Sequence, residues 1–192
     1  MEFPGEHELR IERRLVVETF AALTDEEFES GPTLCEGWAP RDILAHLLGS
    51  DTQLYRYVFA LGRVAKANAA IVAGEKDKSR ARLQRRAEHW AAHPAPLSRP
   101  FAPFLLGDVA VHHQDVLRAL GRRRVLPEAS ADAVYREGAT LGFRTLLKHR
   151  AVPLDGGRPL GRGPEVRGTR EALGMWLAGR KGIESELAFA GA

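Results

Sequence analysis

Residues 40–61 read PRDILAHLLGSDTQLYRYVFAL, and this stretch decides the fold class. Pro40 opens it with a preset φ, and Asp42 places a carboxylate at the positive end of a helix dipole. Projected at about 100° per residue, Ile43, Leu44, Leu47, Leu48, Leu54, Tyr55 and Val58 cover a wide arc rather than a narrow stripe. A helix apolar over so much of its circumference packs inside a bundle.

The flanking sequence repeats the helical theme. In residues 6–23, Leu9, Val16, Phe20 and Leu23 form one amphipathic stripe. Arg- and Ala-rich residues 76–93 predict a more exposed helix, ended by the prolines of AHPAPLSRP. Further helices are expected over 102–120, stopped by Gly121, and over 131–149. AVPLDGGRPLGRGPEVRG then reads as two short strands around a hairpin-type turn at Asp155, Gly156 and Gly157, followed by a last helix over 169–187. The expected architecture is mainly α: an up-down four-helix bundle over residues 1–150 and a small β-hairpin plus helix appendage over 151–192.

Composition narrows the function classes. The chain has 192 residues, of which 44% are hydrophobic and 28% charged, enough for a core without disulfides and unlike a disordered or fibrous protein. Its single cysteine, Cys35, excludes an internal disulfide framework and fits a reducing compartment. The acidic start MEFPGEHELR lacks a signal-peptide pattern, and no apolar run approaches the roughly 20 residues of a membrane span, so a cytoplasmic location is expected. The net charge is only +3, and the runs RARLQRR and GRRR carry no interleaved aromatic residues; they read as solvated helix faces rather than a nucleic-acid surface.

Chemistry concentrates on the helix at 102–120. Asp108, His112 and Asp115 fall within about 60° of one another, beside the apolar arc of Leu105, Val109, Val116 and Leu120. Asp108 and His112, four residues apart, rise from adjacent turns and can share one cation. His46, at the rim of the apolar arc near Ile43 and Tyr57, is the candidate third ligand, because a buried imidazole needs a partner. A helix-surface pair or a hydrogen-bonded core histidine is the competing reading of the same spacing. Asp42 and Asp115 each lie one turn from a candidate histidine and can orient its ring, whereas His113 points elsewhere and reads as a packing residue or one that supports the ligands from behind. Cys35 reads as a small buried hydrophobe rather than a nucleophile. Asp51, in the middle of an apolar arc, has no evident role.

Three blocks, PTLCEGWAPRDILAHL (32–47), DVAVHHQDVLRALG (108–121) and VRGTREALGMWLAGR (166–180), together resemble the mycothiol-dependent maleylpyruvate isomerase family of the DinB-like metalloenzyme superfamily. The resemblance implies metal ligation by His46, Asp108 and His112, with Asp108 standing where the family pattern has glutamate. Two imidazoles and a carboxylate suit zinc first, then nickel or iron. It further implies mycothiol as thiol cosubstrate, an electrophilic small-molecule substrate, and a transferase or isomerase reaction. No nucleic-acid or membrane partner is expected, and a homodimer is compatible with the sequence. Arg180, leaving an apolar stripe of Leu173, Trp176 and Leu177, is the candidate catalytic residue, able to hold a carboxylate bidentately or else to snorkel or cap its helix. Two other functions fit the same residues: a metal-silent bundle binding a small ligand or partner, and a thiol-independent DinB-like metal hydrolase.

Overall fold

The computed structural model describes residues 2–53, 64–75, 77–96 and 98–190. Helix α1 (Glu6–Ala21) buries Leu9, Val16 and Phe20, the stripe read from sequence. Thr24 and Glu27 cap each other's backbone to start the short α2 (Asp25–Ser30), a helix not among those expected from the sequence. Helix α3 (Pro40–Thr52) begins at its proline, with Asp42 Oδ2 accepting the Ala39 N–H at 3.0 Å. The expected continuation through Leu54, Tyr55, Tyr57, Val58 and Leu61 lies outside the described residues. Next come α4 (Val64–Ala73), α5 (Arg80–Ala92) and, after a 3₁₀ turn, α6 (Ala102–Ala119).

Helices α1 and α3 each pack against both α5 and α6, so these four helices close a ring around the principal core. That core joins Leu9, Val16 and Phe20 to Ile43, Leu44, Leu47, Leu83, Leu106 and Val109. Inside it Asp51 finds its partner. Arg13 Nη2 donates to Asp51 Oδ1 at 2.7 Å, and the guanidinium lies 4.6 Å from the centroid of the Trp90 ring.

The expected helix over 131–149 is divided into α7 (Glu128–Leu141) and α8 (Phe143–Leu146) at Gly142. After β1 (Arg150–Pro153), the chain forms β2 (Leu160–Gly161), β3 (Glu165–Gly168), α9 (Arg170–Leu177), a second 3₁₀ turn and β4 (Ala188–Phe189). The sheet order is β2-β1-β3-β4. The expected hairpin is present as the antiparallel pair of β1 and β2, and it belongs to a larger sheet in which β1 also pairs parallel with β3. In the loop that connects β1 to β2, Asp155 Oδ1 accepts the Arg170 N–H at 2.8 Å, anchoring that loop to the start of α9.

The last helix is also shorter than the expected 169–187. Gly179, at φ 82°, takes the left-handed conformation; its N–H reaches Trp176 O and that of Arg180 reaches Met175 O. These two bonds form a Schellman stop. Helices α7 and α9 meet at glycines: a Cβ on Gly138 would stand 2.2 Å from Gly174 O. A second core made of Ala110 and Val111 on α6, Ala131 and Val134 on α7, and Ala172 and Met175 on α9 spans this contact. No helix among the described residues is long and apolar enough to cross a membrane.

Candidate metal centre

Helix α3 brings His46, and α6 brings Asp108 and His112, to a single point. Their donor atoms all lie within 4.8 Å of one another. His46 Nε2 is 3.3 Å from Asp108 Oδ1, and His112 Nε2 is 3.6 Å from the same oxygen. Both imidazoles are almost wholly buried, while the Asp108 side chain keeps a quarter of its surface exposed, so the group opens on the carboxylate side. Burial alone would raise the Asp108 pKa, but the two imidazoles beside it outweigh that and hold it at about 2.

Asp115, fully buried one turn further along α6, accepts a hydrogen bond from His112 Nδ1 at 3.0 Å. With its proton on Nδ1, His112 turns the Nε2 lone pair toward Asp108 and His46, the arrangement of a metal-ligating histidine. Asp115 is held in turn by Arg180, whose Nε and Nη2 donate to its two oxygens at 2.9 and 2.7 Å. Burial opposes ionisation of Asp115, but these hydrogen bonds keep its carboxyl below the usual range. The carboxylate gripped by the Arg180 fork is therefore an internal one. Asp42 plays no comparable part, being spent on the start of α3.

The donor set suits a divalent ion: two imidazoles and one carboxylate converge, one imidazole is oriented from behind, and the buried Nδ1 of His46 has no hydrogen-bond partner among the described residues. A second grouping, Cys35, His112 and Asp115, also has donor atoms within 4.8 Å. It is less suited to a cation, because Arg180 already neutralises Asp115 and burial pushes the Cys35 thiol up to about 11.

The remaining candidates have structural partners. His113 donates or accepts at Thr19 Oγ1 (2.8 Å) and lies 2.8 Å from Glu12 Oε1, within a buried network. In the cationic runs, Arg80 pairs with Asp25, Arg86 with Glu75, Arg122 with Glu27 and Arg124 with Glu12.

Two residues near the centre were given no role by the sequence reading. Trp38 lies over both imidazoles, its ring centroid 5.2 Å from that of His46 and 5.8 Å from that of His112. Glu137 projects from α7 where it crosses α6; a Cβ on Gly107 would stand 2.9 Å from that of Glu137. The legible signal for Glu137 was a charged residue one turn after buried Ala133 and three residues after buried Val134. Burial, and then the negative charge of Asp108, raise its pKa to about 7. A folded-state pKa above the unfolded value of about 4.3 favours the protonated form, so stability falls as pH rises between the two. In metal-free protein, Glu137→Gln should therefore add on the order of 1–3 kcal/mol at pH 8 and almost nothing at pH 4. Urea unfolding at the two pH values measures this, and an equal gain at both would show that the carboxyl does not titrate in this way.

Residues 9–99 match the family model described as mycothiol maleylpyruvate isomerase N-terminal domain, a span that includes His46 but ends before Asp108. Among curated proteins no sequence matches the chain. Two solved structures share the fold: a mycothiol-dependent maleylpyruvate isomerase (15% identity) and a histidine-to-alanine mutant of the mycothiol-dependent maleylpyruvate isomerase (14% identity). Each has a TM-score of 0.69 over 97% of this chain and 93% of the other.

Proposed function

As residues 9–99 match the family model described as mycothiol maleylpyruvate isomerase N-terminal domain, we propose that the chain is a metal-dependent enzyme that uses mycothiol on an electrophilic small molecule, as an isomerase or transferase. The observation that carries this reading is the convergence of His46, Asp108 and His112. These three would hold the ion, zinc first by donor chemistry and otherwise nickel or iron. A divalent ion there would supply the positive charge that keeps a thiol deprotonated at neutral pH.

The chain's own residues would do the rest. Three protein donors leave positions free for a ligand, and the partly exposed Asp108 marks the open side. Aspartate is one methylene shorter than the glutamate of the family pattern, so Asp108 would hold the ion either directly or through a water. Asp115 fixes the His112 tautomer, and Arg180 fixes Asp115. We read Arg180 first as a positioning residue. Its charge also acts on Asp108 and Cys35, so it contributes to the field an anionic substrate would meet. Cys35, neutral at physiological pH, is not the nucleophile of this scheme.

Elemental analysis of untagged protein, followed by calorimetry with mycothiol and with glutathione, tests the proposal. About one equivalent of metal per chain is expected, with heat on adding mycothiol to the metal-loaded protein only. In cobalt-substituted protein a near-ultraviolet charge-transfer band should appear with the thiol. Metal uptake without any thiol response would favour the thiol-independent hydrolase. Absence of uptake on adding zinc, nickel or iron would leave the ligand-binding bundle.

A further inference from the structure

The two histidines of the centre are held differently. His112 has the hydrogen bond from Nδ1 to Asp115, whereas the Nδ1 of His46 is buried without a partner among the described residues. A ligating imidazole depends on its second nitrogen for orientation, so the His46 ring must be fixed in another way.

The loop between α2 and α3 provides it. Thr33 Oγ1 donates to Trp38 O at 2.8 Å, and the Trp38 N–H donates to Cys35 O at 3.1 Å. Gly37, at φ 79°, makes the bend just before the tryptophan. Thus anchored, the indole is nearly parallel to the His112 ring, at an interplanar angle of 15°, and inclined by 55° to that of His46. The two imidazoles meet each other edge to face at 4.8 Å. A turn of either ring out of its ligating plane would drive it into the indole or the other imidazole. Aromatic contacts of this kind contribute about 0.5–1.5 kcal/mol each beyond burial.

We propose that Trp38 is the positioning residue of this centre: its indole fixes both imidazole planes, and at His46 it takes the place of a hydrogen bond to Nδ1. This role rests on the metal reading above. It also makes Trp38 the natural optical reporter of the site, since Trp90 packs on Arg13, and Trp176 on His149 and Phe189.

The test titrates cobalt, nickel and zinc into metal-free full-length protein, against a competing chelator, for the parent, Trp38→Phe and Trp38→Ala. Outer groups that orient metal ligands are worth about 10–100-fold in affinity, and Trp38→Ala should lose that much. Trp38→Phe, which keeps a planar face, should remain close to the parent. Its tryptophan emission should nevertheless lose most of the quenching that cobalt or nickel produces in the parent. Should the alanine variant not fold by circular dichroism, Trp38→Leu, apolar but without a flat face, replaces it with the same expected loss. Parent-like affinity in Trp38→Ala or Trp38→Leu, or an equal loss in Trp38→Phe, overturns the positioning role alone. A parent protein that binds none of the three metals overturns the metal reading and this role together.

Discussion

Replacing His112 by alanine is expected to lower divalent-metal affinity about a hundredfold or more. A four-ligand zinc site in a small peptide is worth roughly 10–16 kcal/mol, so each donor carries on the order of 3–4 kcal/mol, and each 1.4 kcal/mol is tenfold. His112 also links the ion to Asp115 and Arg180, so its loss severs the support as well as the donor. His46→Ala should cost somewhat less, because His46 lacks a hydrogen bond that would strengthen its basicity. Asp108→Glu should keep or strengthen binding, whereas Asp108→Ala should weaken it as the histidine variants do. Chelator competition reads all four. An unchanged affinity in His112→Ala would remove that residue from the donor set and with it the proposed centre.

The second large effect lies away from the centre. Arg13 and Asp51 are both almost fully buried, and removing either leaves the other as an uncompensated charge in the core. Arg13→Ala or Asp51→Ala should each cost about 3–5 kcal/mol, which lowers Tm by about 6–20 °C for a domain of this length. Replacing both together, as Arg13→Met with Asp51→Leu, should recover most of the loss, because a well-packed apolar pair avoids the desolvation that the ion pair suffers. Thermal denaturation of the three variants decides it. Additive losses in the double variant would mean that the pair's geometry, rather than its charge balance, is what the core requires.

The same ion pair shows where the sequence was legible and where it was not. Asp51 was visible as a polar residue on an apolar arc, but Arg13 lies 38 positions away, and helical periodicity does not choose among cations on another helix. His46, Asp108 and His112 were easier. Two share one helix face four residues apart, the third sits at the edge of another apolar arc, and the structure brings the three together. Arg180 was recognisable as a guanidinium leaving an apolar face, yet nothing local revealed that Asp115 would fill its fork. The tail was legible in part for a related reason. Turn residues at 155–157 announce the reversal that joins β1 to β2, but the parallel pairing of β1 with β3 is a tertiary matter on which local pattern is silent. Trp38 meets His112, and Glu137 feels Asp108, across separate elements of the chain, and local pattern is silent about such neighbours.

The Schellman stop after α9 carries a consequence for anyone recombining relatives of this protein. By ending the helix at Leu177 it folds the chain back so that the side chain two residues past the cap, Arg180, closes on Asp115 of α6. A chimera that takes its C-terminal segment from another sequence therefore inherits, or forfeits, the counter-charge of a carboxylate buried in its N-terminal parent. Position 115, the glycine at 179 and the arginine at 180 form one transferable unit, and crossover points between them should yield chimeras with a disturbed centre even where every donor residue has been kept.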